Sequence, residues 1–123
     1  MHQGHCLCGA VQFRTEATPE GASACHCSQC RRQSGHVWAS AYVASGALQI
    51  DGPVRWFESS ANGQRGFCPD CGCFLFWRDI TETTTSFSLG ALTEPTGLHL
   101  TKHIFTADKG DYYDIADGLP QRP

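Results

Sequence analysis

Three tight clusters of cysteine, Cys6 with Cys8, then Cys25, Cys27 and Cys30, then Cys68, Cys71 and Cys73, restrict this chain more than any other feature of its sequence. Thiolates one to three residues apart can converge on a single ion, and zinc takes three or four such sulfurs at about 2.3 Å in a tetrahedral shell. A disulfide needs a particular Cα separation and Cβ direction, which a Cys-x-Cys pair closing on itself does not offer without strain. The grouping therefore reads as metal ligation.

The compartment bears on this, because an even cysteine count in a short secreted chain would suggest a disulfide framework. Met1-His2-Gln3-Gly4-His5-Cys6 has no basic segment leading into an apolar run. Nowhere does an apolar stretch approach the roughly 20 residues of a spanning helix. The expectation is a cytoplasmic, reduced protein with no membrane partner. At 123 residues the chain suits a single zinc-binding domain over 1–123. Folding should bury about two-thirds of the extended surface. Zinc can add on the order of 10 kcal/mol, which links metal binding to folding. The formal net charge is −3. Four thiolates on one zinc and three on another would bring the holoprotein to about −6. The nine Lys and Arg are dispersed, Arg31-Arg32 being the only adjacent pair. Nucleic-acid binders usually show a basic face, so no nucleic-acid partner is expected.

No repeat or linker divides the sequence, and glycine and proline punctuate short segments that read as strands. Val11 to Arg14 alternates apolar and polar residues, as do Trp38 to Val43, Leu48 to Ile50, Val54 to Phe57, Thr83 to Leu89 and Leu98 to Phe105. Phe74-Leu75-Phe76-Trp77 is continuously apolar and predicts a strand buried on both faces. Ser28 to Ser34 is the one helical candidate, with Ser28 able to cap it and carry Cys30 back toward Cys27. Asp111 to Ile115 predicts a turn, followed by an irregular tail held by Tyr112, Tyr113 and Ile115. The fold class is mainly β.

Two clusters end in glycine, Cys6-Leu7-Cys8-Gly9 and Cys68-Pro69-Asp70-Cys71-Gly72. Glycine tolerates positive φ, so the chain can turn tightly and aim backbone N–H groups at the sulfurs of a metal knuckle. Pairing the knuckles gives a closed site of Cys6, Cys8, Cys68 and Cys71, although groupings in sequence order stay open. The middle cluster, Cys25-His26-Cys27-Ser28-Gln29-Cys30, offers three thiolates and is followed by arginines. Three protein ligands leave a zinc position open for chemistry, whereas a fourth ligand from Cys73, His26, His36 or His103 would make the site structural. A histidine between two ligands, as His26 is, tends to point away from the metal.

With these motifs in view, Gly4-His5-Cys6-Leu7-Cys8-Gly9-Ala10-Val11-Gln12-Phe13, Cys25-His26-Cys27-Ser28-Gln29-Cys30-Arg31 and Phe67-Cys68-Pro69-Asp70-Cys71-Gly72 together resemble the glutathione-dependent formaldehyde-activating enzyme family, which includes centromere protein V. The resemblance extends through Ser34-Gly35 to His103-Ile104-Phe105 and Ala107-Asp108-Lys109. It implies a β-tent of small antiparallel sheets joined by zinc knuckles and two zincs per chain, a structural ion on Cys6, Cys8, Cys68 and Cys71 and a catalytic one on Cys25, Cys27 and Cys30. It implies carbon–sulfur lyase chemistry, in which glutathione and formaldehyde form S-hydroxymethylglutathione. Position 73 departs from that resemblance, being cysteine where a small hydroxyl residue is usual.

Arg31 and Arg32, next to the three-cysteine cluster, are candidates to clamp the carboxylates of a peptide-like thiol such as glutathione. A solvated arginine pair is the plainer alternative. Trp38, Trp56 and Trp77, with Phe74 and Phe76, read as core, with a pocket lining as the alternative. Two functions compete: an enzyme acting on a thiol–aldehyde adduct, and a non-enzymatic zinc scaffold whose second site is saturated.

Overall fold

The computed structural model describes residues 1–123, of which 41% are in strands and 13% in helical turns. The strands are β1 (His2–His5), β2 (Gln12–Thr15), β3 (Glu20–Cys25), β4 (Trp38–Ala44), β5 (Leu48–Asp51), β6 (Arg55–Glu58), β7 (Gly63–Phe67), β8 (Phe74–Asp79), β9 (Thr84–Ser88) and β10 (Lys102–Ile104), with a single α-helix, α1 (Ser28–Ser34). They form a three-stranded sheet in the order β1-β2-β5 and a seven-stranded sheet in the order β10-β3-β4-β9-β8-β7-β6.

The core lies between the sheets and follows from the strand patterns. Along β2, Phe13 and Thr15 are buried while Gln12 and Arg14 face solvent, the period of two that a half-buried strand requires. Phe13 meets the Phe76 ring edge-on, with centroids 5.2 Å apart, and approaches Phe87 at 5.6 Å, so one side chain of the small sheet bridges two neighbouring strands of the large one. Such ring pairs contribute about 0.5–1.5 kcal/mol beyond the area they bury. Phe74, Leu75 and Phe76 are all buried, as their continuous apolar run predicts for a strand covered on both faces, whereas Trp77 at the end of that run is only half-buried and lines a cavity. A smaller cluster of Cys25, Cys30, Trp38 and Phe74 sits apart, with the Trp38 and Phe74 rings 4.2 Å apart.

Several elements differ from the sequence expectations. Strands β1, β3 and β7 carry little of the apolar alternation that reveals the others. Glu20–Cys25 is built of small residues and Gly63–Phe67 contains two glycines. These strands are specified by their neighbours: a Cβ on Gly21 would stand 2.4 Å from the Tyr42 ring, and one on Gly66 would stand 3.0 Å from the Trp56 ring. Strand preference measures fit to a pleated, packed surface more than any intrinsic bias of the backbone. The strand expected over Leu98 to Phe105 contracts to Lys102–Ile104, and it pairs with β3 in parallel, whereas the other paired strands are antiparallel. The preceding irregular stretch delivers the chain in the direction of β3, and the Thr101 N–H and hydroxyl both donate to the Ala22 carbonyl before the strand begins. The helix occupies the expected residues, but Cys27 rather than Ser28 is its N-cap. The expected turn is confined to Asp111 and Tyr112, and the irregular tail beyond it bridges to His103 through Gln121. No helix is long and apolar enough to cross a membrane.

Candidate metal centres and the cavity beside them

Cys6 and Cys8 lie on the loop between β1 and β2, and Cys68 and Cys71 on the loop between β7 and β8, so the two arms of this cluster come from different sheets. The four sulfurs lie within 4.8 Å of one another, with Cys6 to Cys8 at 3.6 Å and Cys8 to Cys68 at 3.7 Å. A tetrahedron with bonds of about 2.3 Å has sulfur–sulfur edges of about 3.8 Å, so this donor set fits a zinc ion. Gly9 and Gly72 both have positive φ, 82° and 76°, and their N–H groups close the knuckles on the Cys6 and Cys68 carbonyls at 3.1 and 2.8 Å. Other amides turn toward sulfur. Val11 N–H donates to Cys6 Sγ at 3.3 Å, and the backbone N–H groups of Cys8 and then Cys73 pull the Cys71 thiol down to about 6, favouring the thiolate that a metal needs. The Cys73 side chain is not one of the four. It packs beside the main core, where burial pushes its thiol up.

The second cluster is built around the start of α1. Cys25 ends β3, Cys27 caps the helix by accepting the Cys30 N–H at 3.3 Å, and Cys30 follows in the first turn. Their sulfurs also lie within 4.8 Å of one another. Hydrogen bonds from Cys25 and Cys30 hold the Cys27 thiol far below its usual range, while those from Cys27 and Cys30 raise Cys25. His26, between two of these cysteines, turns away. Its Nε2 bonds His103 Nδ1 at 2.8 Å, its Nδ1 bonds the Tyr113 hydroxyl, and His103 Nε2 meets the Asp117 carboxylate at 2.7 Å. Burial, then the nearby His103, holds His26 below its ordinary value, whereas the His103 hydrogen bond lowers Asp117. His36 bonds the Tyr112 hydroxyl at 3.0 Å. None of Cys73, His26, His36 or His103 brings a donor atom into the three-sulfur group, and this soft donor set also fits zinc, with three protein ligands.

Beside this group opens a cavity of about 450 Å³ whose wall includes Cys25, Cys27 and Cys30 but none of the other five cysteines. Trp38, Tyr42 and Trp77 supply aromatic surface, Ser23, Ser40 and Ser86 supply hydroxyls, and Lys102, Asp108 and Arg65 supply charge. The Trp38 indole Nε1 is buried without a hydrogen-bond partner.

The wall holds residues that the sequence patterns did not single out. Arg65 is only 6% exposed, and its guanidinium meets Cys30 Sγ at 3.4 Å and Cys27 Sγ at 4.0 Å. A signal existed: an arginine three positions before Cys68 lies in a segment whose two glycines masked the strand that aims it. Lys102 comes to the cavity only through the parallel β10 pairing. Of the two arginines singled out from sequence, neither lines this cavity. Arg32 is exposed along a neighbouring groove that shares Gln29 and Arg65 with it, and Arg31 is half-buried with its Nε unpartnered.

Comparison with known proteins agrees with this architecture. The family model described as "Glutathione-dependent formaldehyde-activating enzyme" matches residues 1–108. A protein of Schizosaccharomyces pombe named as an uncharacterized lyase is 26% identical, over 94% of this chain and 86% of its own. A crystal structure of a Rhodobacter sphaeroides protein shares the fold, with a TM-score of 0.61 at 24% identity, over 79% of this chain and 90% of that one.

Proposed function

We propose that this chain, which belongs to the glutathione-dependent formaldehyde-activating enzyme family, is a lyase-type enzyme that makes and breaks the carbon–sulfur bond between a thiol and an aldehyde, most simply glutathione and formaldehyde. The lyase named in Schizosaccharomyces pombe supports that reading. The observation that carries it is the division of the cysteines: three wall a cavity large enough for a small peptide thiol, and the four that join the sheets do not.

Cys25, Cys27 and Cys30 would hold a zinc ion, which when bound would supply the Lewis acidity that lowers the pKa of an added thiol. Cys6, Cys8, Cys68 and Cys71 would hold a second ion with four protein ligands, and it would brace the fold. The chain's own residues bind and orient. Trp38, Tyr42 and Trp77 exclude bulk water from the reacting carbon, and Lys102 in the wall and Arg32 along the adjoining groove offer cations to the carboxylates of the thiol. Asp108 in the same wall suits the ammonium of a zwitterionic thiol. The substrate sulfur attacks the aldehyde carbon, the carbonyl electron pair moves to oxygen, and a proton from solvent completes the hydroxymethyl thioether. The three-cysteine group is thus catalytic and the four-cysteine group structural.

The test is zinc stoichiometry on protein purified without added metal, with glutathione titrated by calorimetry. Two zincs per chain and saturable glutathione binding that disappears in Cys27→Ser are expected. Two zincs with no thiol binding would overturn the enzyme reading in favour of a scaffold.

A further inference from the structure

We infer that Arg65 is a catalytic residue of this cavity, the donor that receives the aldehyde oxygen as the carbon–sulfur bond forms; the inference rests on the thiol–aldehyde reading above. Its guanidinium is fixed on nearly every side. Nε donates to Gln29 Oε1 at 3.1 Å and Ser59 Oγ at 3.3 Å, and Nη1 donates to Gln33 Oε1 at 3.3 Å and Cys30 Sγ at 3.4 Å. The plane lies over the Phe74 ring, with Cζ 5.4 Å from its centroid. Only Nη2 is left loosely engaged, 4.0 Å from Cys27 Sγ.

Charge explains why an arginine is tolerated there. A buried cation without a counter-ion is costly. The only ion pair in the protein joins His103 to Asp117, so no carboxylate pairs with Arg65. The sulfurs of Cys27 and Cys30 are the groups it meets, and three thiolates on a divalent ion would leave one negative charge for it to balance. That balance holds a cation at the cavity wall with one amino group nearly free, next to the sulfur cluster where the added thiol would react.

The reaction needs such a donor. As the substrate sulfur bonds to the aldehyde carbon, the π pair of the carbonyl bond moves onto oxygen and negative charge grows there. The Nη2 hydrogens hold that oxygen until solvent delivers the proton. In the reverse direction the adduct hydroxyl gives up its proton, and Arg65 holds the alkoxide while the carbon–sulfur bond breaks and its electron pair returns to sulfur. No electrons are gained or lost overall. A donor already fixed in place does not reorganise during the reaction, and removing one such donor lowers kcat about 10²- to 10³-fold.

The test compares wild type with Arg65→Met and Arg65→Lys in three measurements: zinc per chain, glutathione affinity by calorimetry, and the rate of adduct formation from glutathione and formaldehyde by exchange NMR, corrected for the uncatalysed reaction. Both variants should keep two zincs and bind glutathione within about threefold of wild type, while kcat falls about 100-fold in Arg65→Met and less in Arg65→Lys. Millimolar guanidinium should restore part of the Arg65→Met rate, a rescue that a purely structural arginine would not show. If Arg65→Met does not fold, Arg65→Gln and Arg65→Lys carry the same comparison. An unchanged kcat, or a loss that tracks departure of the second zinc or of thiol binding, overturns the assignment and leaves Arg65 as a counter-ion of the sulfurs. A wild-type protein that binds two zincs but never exceeds the uncatalysed rate refutes the enzyme reading itself, and this inference with it.

Discussion

The double variant Cys8→Ser/Cys71→Ser should destabilise the protein about twice as much as Cys27→Ser, although each leaves only two sulfurs at its site. The first removes one ligand from each sheet and spares Cys6 and Cys68, which are 0% exposed in the core, so the loss reports the cross-link with little change in packing. Cys8 and Cys68 stand 60 positions apart in sequence with their sulfurs 3.7 Å apart. Treated as a chain cross-link, closing a loop of that length removes about 4 kcal/mol of unfolded-state entropy, whereas the six-residue loop from Cys25 to Cys30 removes only about 2 kcal/mol. With an unfolding entropy of about 2.1 cal/mol/K per residue, each kcal/mol in a chain of this size moves Tm by about 4 °C. The double variant should therefore melt about 15 °C below wild type and Cys27→Ser about 8 °C below it. Differential scanning calorimetry, with zinc counted on the same samples, reads both. Equal losses of one zinc with Cys27→Ser melting as low as the double variant would show that the four-sulfur centre is not the brace between the sheets.

Cys27→Ser should meanwhile keep a cooperative melt yet lose glutathione binding in calorimetry, separating chemistry from fold at the three-sulfur group. Tyr113→Phe leaves His26 Nδ1, on a residue only 2% exposed, without its hydroxyl partner, which should cost about 1–3 kcal/mol and lower Tm by about 4–12 °C. Tm unchanged within a degree would mean that water takes the place of the hydroxyl. Asp117 is held below the ordinary aspartate value of 3.8 by its hydrogen bond from His103. Its contribution is present above that value and fades as pH falls through the lowered folded value. Wild type should therefore out-melt Asp117→Asn at neutral pH, and the two curves should merge in acid; a gap that widened in acid would reverse this sign.

Much of the candidate site was legible because its spacing is local. A sulfur two or three residues from another needs only one tight turn to reach the same ion, and Gly9 and Gly72 announce two of those turns. The pairing of the two glycine-ended knuckles could also be proposed from the sequence, but groupings in sequence order and a ligand role for Cys73 stayed open until the sulfurs were placed. The helix after Cys27 was legible too, but its cap was not: Cys27 Sγ and Ser28 Oγ are both able to accept, and only the backbone direction leaving β3 selects the sulfur.

By itself the sequence determined most of the strands whose apolar residues alternate, the buried run at Phe74 to Phe76, and the metal-ligand type, because each is a property of neighbours along the chain. What only the tertiary structure decided is what depends on segments distant in sequence. Strands β3 and β7 exist because small residues admit the rings of Tyr42 and Trp56, and β10 runs parallel to β3 because of where the chain re-enters the sheet. Arg65 reaches Cys27 and Cys30 across a register that no local pattern encodes. A motif fixes which atoms can bind an ion, but the charge and the walls around that ion are set by strands that meet only when the sheets close.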